Sequence, residues 1–284
     1  MKKKSIVRQA KERLWSMAAW GQSKHDDKSR NNGKPAMDKI YSHSTMDNYV
    51  DAAVLFVKWA RAEHGCKTLE DARQLTGEYL NQRVRDGKSA YTVRRDAAAL
   101  GKLYQIATTD LGADLPARER KNVTQHRQDK SRGHFSEKKN ADLVALCKAT
   151  GLRRHEVAAL QPGDVTQNAD GSVSVHVRQG KGGKARTVTA LDDSPYRLAQ
   201  KAVQEGRGTV IAHIPKYAPV HEYRADFAME LYRRLARPLE DLPQRERYVC
   251  RKDRAGTQYD RAAMKAVSVQ LGHNRVDVVT HYLE

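Results

Sequence analysis

Residues 271–282 read LGHNRVDVVTHY, which places His273 and Tyr282 nine positions apart. A phenol at a short distance after an imidazole, in a strongly basic chain, is typical of a tyrosine that attacks a phosphodiester. The stretch therefore predicts a fold in which distant parts of the chain must meet around the phenol of Tyr282.

The composition of the chain points to a polyanionic partner. Among its 284 residues, 52 Lys and Arg outnumber 34 Asp and Glu, which gives a net charge of +18. An excess of this size favours salt-sensitive binding to nucleic acid, although a solubilising surface is the alternative explanation. We expect double-stranded DNA as the partner.

The cysteines and the hydropathy indicate where in the cell the protein is expected. Cys66, Cys147 and Cys250 are odd in number and widely spaced, which indicates neither a disulfide framework nor a zinc site. No apolar run approaches the roughly 18 residues that a membrane-spanning helix needs. We expect a soluble protein without a membrane partner, located in the cytoplasm and associated with the nucleoid.

The length and the composition along the chain predict two domains joined by a charged linker. The predicted parts are a basic N-terminal segment with a flexible tether (1–35), a helical core DNA-binding domain (36–110), a linker (111–134) and a catalytic domain (135–284). Arg94, Arg95 and Lys102 lie on a basic face of the last helix of the first domain. We expect them to contact the DNA backbone.

The sequence of the second domain predicts helices around one small β-hairpin. Residues 173–177 alternate apolar and polar side chains, as in a β-strand. Residues 180–184 would form the glycine-rich tip of a hairpin, and residues 187–189 would form its second strand. The predicted fold class is mainly α with a small β-hairpin or sheet (α+β).

Separated motifs in the second domain resemble the tyrosine recombinase family, the phage-type integrases. Each motif is weak alone, and their order and spacing carry the resemblance. The motifs are TGLRRHE at 150–156, GKGGKAR at 180–186, HEYR at 221–224, and LGH at 271–273 followed by Tyr282.

The resemblance implies a role for each matching residue. The implied catalytic residues are Arg153, Lys181, His221, Arg224, His273 and Tyr282, with Glu156 in support. The arginines would clamp the scissile phosphate, because a guanidinium stays charged and can donate two hydrogen bonds to one phosphate. Tyr282 would attack to form a 3′-phosphotyrosyl bond, and Lys181 would protonate the leaving oxygen. His221 would accept the phenolic proton, with His273 as the alternative acceptor.

The implied protein is a two-domain DNA clamp that needs no ATP, metal or cofactor. It would act as a homotetramer on two synapsed sites, and accessory proteins are compatible with this interpretation. Two alternatives are a type IB topoisomerase, which reseals the same strand, and a DNA-binding protein without catalysis. The sequence indicates neither the target site nor the direction of the reaction.

Three features depart from the family pattern or leave it incomplete. Ala225 and Asp226 follow Arg224, where the family more often has a histidine and a threonine. Residues 248–259 read as an insertion or a strand-like loop without an assigned role. The family commonly continues past its nucleophile into a helix that docks on a neighbouring protomer, and this sequence stops soon after Tyr282. We therefore expect oligomer contacts to come from elsewhere, or a tail to have been removed.

Overall fold

The computed structural model describes residues 4–34, 36–119, 135–180, 183–251 and 254–283. The chain divides into two compact units, unit 1 (Met1–Thr124) and unit 2 (Gln125–Glu284). Helices predominate in both, and two small antiparallel sheets complete unit 2. The predicted mainly α class with a small sheet is confirmed.

Unit 1 is built from helices around a core of apolar side chains that includes Phe56, Leu80 and Leu100. Its helices are α1 (Ile6–Trp15), α2 (Lys24–Arg30), α3 (His43–His64), α4 (Leu69–Arg73), α5 (Thr76–Arg85) and α6 (Ala90–Tyr104). The longest, α3, ends at Gly65, whose φ of +67° favours glycine because that residue has no Cβ. Among the described residues, no helix combines the length and the apolar character needed to cross a membrane.

The beginning of unit 1 differs from the flexible tether that the sequence predicts. Helix α1 packs on α3, and α2 begins after Ser23, whose side chain caps its first turn. Asp27 in α2 accepts hydrogen bonds from Lys39 Nζ at 2.9 Å and from the Tyr41 hydroxyl at 2.7 Å. The segment has few apolar side chains, so its composition suggested disorder, whereas a cap and polar contacts order it.

Unit 2 arranges its helices beside a three-stranded sheet. Its helices are α7 (Ala141–Thr150), α8 (Arg154–Ala159), α9 (Ser194–Gln204), α10 (Val220–Leu235) and α11 (Arg261–Gln270). Its strands are β1 (Val165–Gln167), β2 (Val173–Val177), β3 (Arg186–Thr189), β4 (Arg247–Val249) and β5 (Gln258–Asp260).

The three-stranded sheet has the order β1-β2-β3, and both of its pairings are antiparallel. Val175 of β2 lies opposite Val165 of β1 and Val188 of β3, and alternate residues of β2 point into the core. The predicted hairpin is confirmed, and β1 adds a strand that the sequence did not predict. Strands β4 and β5 form a separate antiparallel hairpin in the region read as an insertion or a strand-like loop.

Candidate active site

Arg153 lies immediately before α8, where the chain leaves α7 through Gly151. The carboxylate of Glu156, one turn along α8, accepts two hydrogen bonds from Arg153. Oε2 accepts the backbone N–H at 2.8 Å, and Oε1 accepts Nη1 at 2.8 Å. Glu156 is buried, so these contacts are shielded from water. The carboxylate therefore fixes both the backbone and the side chain of Arg153.

A second arginine, Arg186 at the start of β3, binds the same carboxylate. Its Nη1 and Nη2 donate to the two oxygens of Glu156 at 2.8 Å each, a bidentate fork. Its Nε donates to the backbone carbonyl of Gln270 at 3.1 Å. Arg186 received no role from the sequence, because nothing in its neighbourhood along the chain shows that it shares a carboxylate with Arg153. Its place at the end of the 180–186 motif was the only signal.

The electrostatic environment keeps Glu156 ionised. Burial alone would raise the pKa of Glu156, but the hydrogen bonds from Arg186 and from the backbone N–H of Arg153 lower it to about 2. One carboxylate thus stands between two guanidinium groups.

Arg224 on α10 is the most deeply buried cation of the site, with 1 % of its surface exposed. Nη1 donates to the carbonyl oxygen of Gly151, and Nη2 donates to that of Leu271 at 2.5 Å. Arg224 therefore joins the end of α7 to the end of α11, two segments far apart in the sequence.

The carbonyl oxygen of Leu271 also accepts Nη2 of Arg153 at 3.2 Å. The guanidinium groups of Arg153 and Arg224 therefore meet at one oxygen. Burial, followed by the nearby charge of Arg153, lowers the pKa of Arg224 to about 10. Nε of Arg224 is buried and has no hydrogen-bond partner among the described residues. The pair can accommodate an anion that supplies acceptors to both groups.

The turn after α11 brings His273 to this pair. Gly272 has a φ of +67°, and a Cβ at this position would lie 3.0 Å from Cδ of Arg186. Both the backbone conformation and the close approach of Arg186 therefore require glycine. The backbone N–H of His273 donates to the carbonyl of Ser268 at 2.8 Å, which closes the turn.

Tyr282 follows a 3-10 helix, Val276–His281, and is 6 % exposed. Its phenolic oxygen lies 3.4 Å from Nε2 of His273, and Nη2 of Arg224 lies 3.4 Å from the same nitrogen. Cζ of Arg224 lies 5.7 Å from the centroid of the Tyr282 ring. A guanidinium group only donates, so a hydrogen bond from Arg224 to His273 would use the lone pair of Nε2, whereas the contact with the phenol can run in either direction.

His221 reaches the same phenol from the first turn of α10. The centroids of the His221 and Tyr282 rings lie 5.6 Å apart. The corresponding distance between the His273 and Tyr282 rings is 5.9 Å. Two imidazoles therefore flank Tyr282, one from the beginning of α10 and one from the turn after α11.

The structure brings together five of the six predicted catalytic side chains. The five are Arg153, His221, Arg224, His273 and Tyr282. The sixth, Lys181, lies outside the described residues. The hairpin on either side of it is described: the backbone N–H of Gly180 donates to the carbonyl of Lys184 at 2.8 Å.

Arg154, the neighbour of Arg153, braces the loop that leads into α10. Nη2 donates to the carbonyls of Pro215 at 2.9 Å, Lys216 at 3.1 Å and Ala218 at 2.9 Å. The two consecutive arginines therefore make different contacts. Arg153 faces the site, whereas Arg154 ties the start of α8 to the segment before His221.

The three residues predicted to contact DNA all bind groups of unit 1. Arg94 donates to the carbonyls of Leu115 and Pro116 at 3.0 and 2.6 Å, respectively. Arg95 pairs with the buried carboxylate of Asp96 at 2.8 Å. The remaining one, the ammonium of Lys102, donates to two carbonyls of the segment before α3, and burial lowers the pKa of Lys102. DNA contact by these side chains stays a prediction, and the structure gives each of them a structural role.

Within the described ranges, no group of three or more histidine, cysteine, aspartate or glutamate side chains is placed to hold a metal ion. Glu156 is the carboxylate nearest to the arginine pair, and its oxygens accept hydrogen bonds from Arg153 and Arg186.

Comparison with known proteins identifies the first part of the chain. Residues 36–110 match the sequence model of the phage integrase N-terminal SAM-like domain, over the same range as the predicted helical domain. A search of curated proteins by sequence returned no match.

The solved structures that resemble nearly the whole chain include two of one recombinase. The first is the XerH site-specific recombinase bound to palindromic difH substrate in a post-cleavage complex. It has a TM-score of 0.55 and 15 % identity, and the match covers 98 % of this chain and 90 % of that one. The second is XerH bound to difH substrate in a pre-cleavage complex, with a TM-score of 0.53, 14 % identity, and coverage of 98 % and 92 %. The chain therefore has the fold of these XerH site-specific recombinase structures, and residues 36–110 match the SAM-like domain of phage integrases.

Proposed function

We propose that the chain is a site-specific DNA recombinase that cleaves and rejoins DNA through a covalent bond to Tyr282. The observation that carries the proposal is the meeting of Arg153 and Arg224 at the carbonyl of Leu271, beside the phenol of Tyr282. A phosphodiester under in-line attack gains charge on its non-bridging oxygens, and two fixed guanidinium groups can stabilise that charge.

The chemical step is a transesterification in which one phosphoester replaces another. The oxygen of Tyr282 forms a bond to phosphorus, and the bond from phosphorus to the 5′ oxygen of the next nucleotide breaks. The products are a 3′-phosphotyrosyl ester and a free 5′-hydroxyl. Because a phosphoester is retained, attack by another 5′-hydroxyl can reverse the step and join a different strand without ATP.

Two proton transfers accompany this exchange. The phenol loses its proton to one of the imidazoles that flank it, His221 or His273. The leaving 5′ oxygen gains a proton, and the sequence motif assigns that donation to Lys181. Arg224 makes the developing phenolate less costly, because its positive charge lies 5.7 Å from the centroid of the Tyr282 ring, and Arg153 adds a second positive charge at the Leu271 carbonyl.

Double-stranded DNA is the proposed partner. The net charge of +18 favours a polyanion, and the two XerH structures are complexes with difH substrates. The SAM-like domain and the catalytic domain, with the boundaries given by the sequence, would both contact the duplex. Strand exchange between two sites would take a homotetramer, and the protein would work on DNA in the nucleoid.

The decisive test is capture of the covalent adduct. A suicide substrate with a nick next to the cleavage site traps the adduct, because the short released fragment diffuses away before religation. With flanking genomic DNA that is first located by footprinting, we expect an adduct with the native chain and none with Tyr282→Phe, at unchanged DNA affinity. Recombinant joints from two intact sites separate a recombinase from a topoisomerase.

The control for this test is Tyr196→Phe, which removes the hydroxyl of a tyrosine on α9, a helix that carries none of the predicted catalytic residues. It should form the adduct at the native rate. An adduct that persists in Tyr282→Phe would refute the proposed nucleophile. Tight, specific binding of the native chain without any adduct would favour a DNA-binding protein without catalysis.

A further inference from the structure

The β4–β5 hairpin contacts the backbone on both sides of Tyr282. Arg254 in this hairpin donates Nη1 to the carbonyl of Thr280 at 2.6 Å. Tyr259 on β5 donates its hydroxyl to the carbonyl of Leu283 at 3.3 Å. One contact therefore precedes the phenol-bearing residue by two positions, and the other follows it by one.

The same two residues also bind each other. Nη2 of Arg254 donates to the hydroxyl of Tyr259 at 2.6 Å, and Cζ of Arg254 lies 5.7 Å from the centroid of the Tyr259 ring. The hydroxyl of Tyr259 thus accepts from Arg254 and donates to Leu283, so the two contacts form one chain of hydrogen bonds.

This pair rests on α10, the helix that carries His221 and Arg224. The rings of Tyr259 and Tyr232 meet edge to face at a centroid distance of 5.7 Å and an angle of 86°. The hydroxyl of Tyr232 accepts the backbone N–H of Asp260 at 2.9 Å. The hairpin is therefore fixed to the helix that carries His221 and Arg224.

The segment that ends in Tyr282 has a local structure that contacts with other elements can stabilise. It is a 3-10 helix, Val276–His281, and such helices have poorer hydrogen-bond geometry than α-helices and are usually short. The backbone N–H of Tyr282 donates to Val279 at 2.8 Å, which closes the final turn. A carbonyl contact on each side restrains both the position and the direction of this turn.

We propose that Arg254 and Tyr259 are positioning residues that hold the phenol of Tyr282 against the arginine pair. The proposal rests on the proposed function for its effect on catalysis. It also assigns a role to residues 248–259, which the sequence left without one. Neither residue needs to contact the DNA, because each acts through the backbone of the segment that carries the nucleophile.

The first test is hydrogen exchange of the full chain without DNA. In Arg254→Met and in Tyr259→Phe we expect the amides of residues 277–283 to exchange faster, while those of α7 and of unit 1 keep their native rates. Unchanged exchange at 277–283 in both variants would overturn the proposal. Tyr259→Phe keeps the ring on Tyr232, so it serves if Arg254→Met does not fold.

The second test is the rate of adduct formation on the suicide substrate. A displacement of about 1 Å can slow such a step by about a hundredfold, so we expect Arg254→Met to react tenfold to a hundredfold more slowly at unchanged DNA affinity. Arg254→Lys can keep one of the two hydrogen bonds and should recover part of the rate.

The matched control is Arg251→Met, which removes the same charge from an exposed position of the same hairpin. It should leave both the exchange and the rate at their native values. An equal loss of rate in Arg251→Met would show an effect of charge and overturn the positioning role. If the native chain forms no adduct, the proposed function fails, whereas the exchange measurement still decides whether the hairpin holds the Tyr282 segment.

Discussion

Glu156 is the residue on which the arrangement of the site depends most directly. Its carboxylate orients Arg153 and also accepts bidentate hydrogen bonds from Arg186. Removing one partner of a buried ion pair typically costs about 3–5 kcal/mol, because the remaining charge stays buried. We therefore expect Arg186 to affect the proposed reaction through the orientation of Arg153, without contacting the phosphate itself.

Replacement of Arg186 by Met should make adduct formation sensitive to acid. Without Arg186, only the hydrogen bonds from Arg153 oppose the effect of burial, so the pKa of Glu156 rises from its native value of about 2. As the pH falls toward that raised pKa, Glu156 becomes protonated and loses its hold on Arg153. The ratio of variant to native rate, measured between about pH 8 and about pH 5, should fall as the pH falls.

Two further variants check this interpretation. Arg197→Met removes an arginine that pairs with Asp193 at the start of α9, a helix that carries none of the predicted catalytic residues, and its rate ratio should not depend on pH. Adding Glu156→Gln to Arg186→Met removes the titrating group, so the extra acid sensitivity should disappear. A pH-independent ratio for Arg186→Met itself would contradict the role of Arg186.

The sequence predicted the charged residues at the centre of the site better than it predicted their supports. Arg153 and Arg224 belong to local motifs whose residue types match the chemistry of a phosphate. The role of Arg186 depends on a carboxylate that is distant along the chain, and the neighbours of Arg186 do not reveal it. Lys102 looked like part of a basic DNA-binding face, but its ammonium binds two carbonyls.

Among the elements, α8 and α10 must keep a fixed relation, because they carry different parts of the site. Arg154 links them by donating to carbonyls of the loop before α10, and this loop leads directly to His221. A guanidinium with several donors can hold several carbonyls at once, which a single ammonium cannot do with the same geometry.

Replacement of Arg154 by Met should loosen the entry to α10. We expect the amides of residues 214–220 to exchange faster and the adduct to form about tenfold more slowly, because His221 and Arg224 lose their fixed relation to Arg153. The control is Arg234→Met, which removes a contact to the carbonyl of Leu191 from the other end of α10. If both variants slow the reaction equally, the brace at the start of α10 has no special role.

Helix ends were predictable where glycine adopts a positive φ. Gly65 and Gly151 end α3 and α7 in this way, with φ values of +67° and +60°. Short elements were harder to predict, because the five residues of α4 and the three of β1 are too few to show a period. The helix α2 was missed because its order comes from polar contacts with residues after it.

At the scale of the whole molecule, the net charge of +18 should dominate the affinity for DNA. Each phosphate neutralised by Lys or Arg adds about −0.9 to the slope of log K against log salt concentration. We expect a linear plot whose slope corresponds to at least six phosphate contacts, about a thousandfold loss of affinity between about 50 and 200 mM salt. Fluorescence anisotropy with a labelled duplex would measure this slope.

Tyr282→Phe provides the control for that measurement, because it removes the nucleophile without changing any charge. Its slope should equal that of the native chain. A slope near zero for both proteins would mean that the positive charge is a solubilising surface rather than a DNA-binding one.

The carbonyl of Leu271 stands between two cations and is itself neutral. Its oxygen offers only a partial negative charge to Arg153 and Arg224, and Arg153 shares the carboxylate of Glu156 with Arg186, so the three guanidinium groups outnumber that one carboxylate. We therefore expect the site to bind a ligand with anionic oxygens more tightly than a neutral ligand of similar shape. Because every DNA sequence carries the same phosphates, recognition of a particular target sequence would depend on other surfaces of the protein.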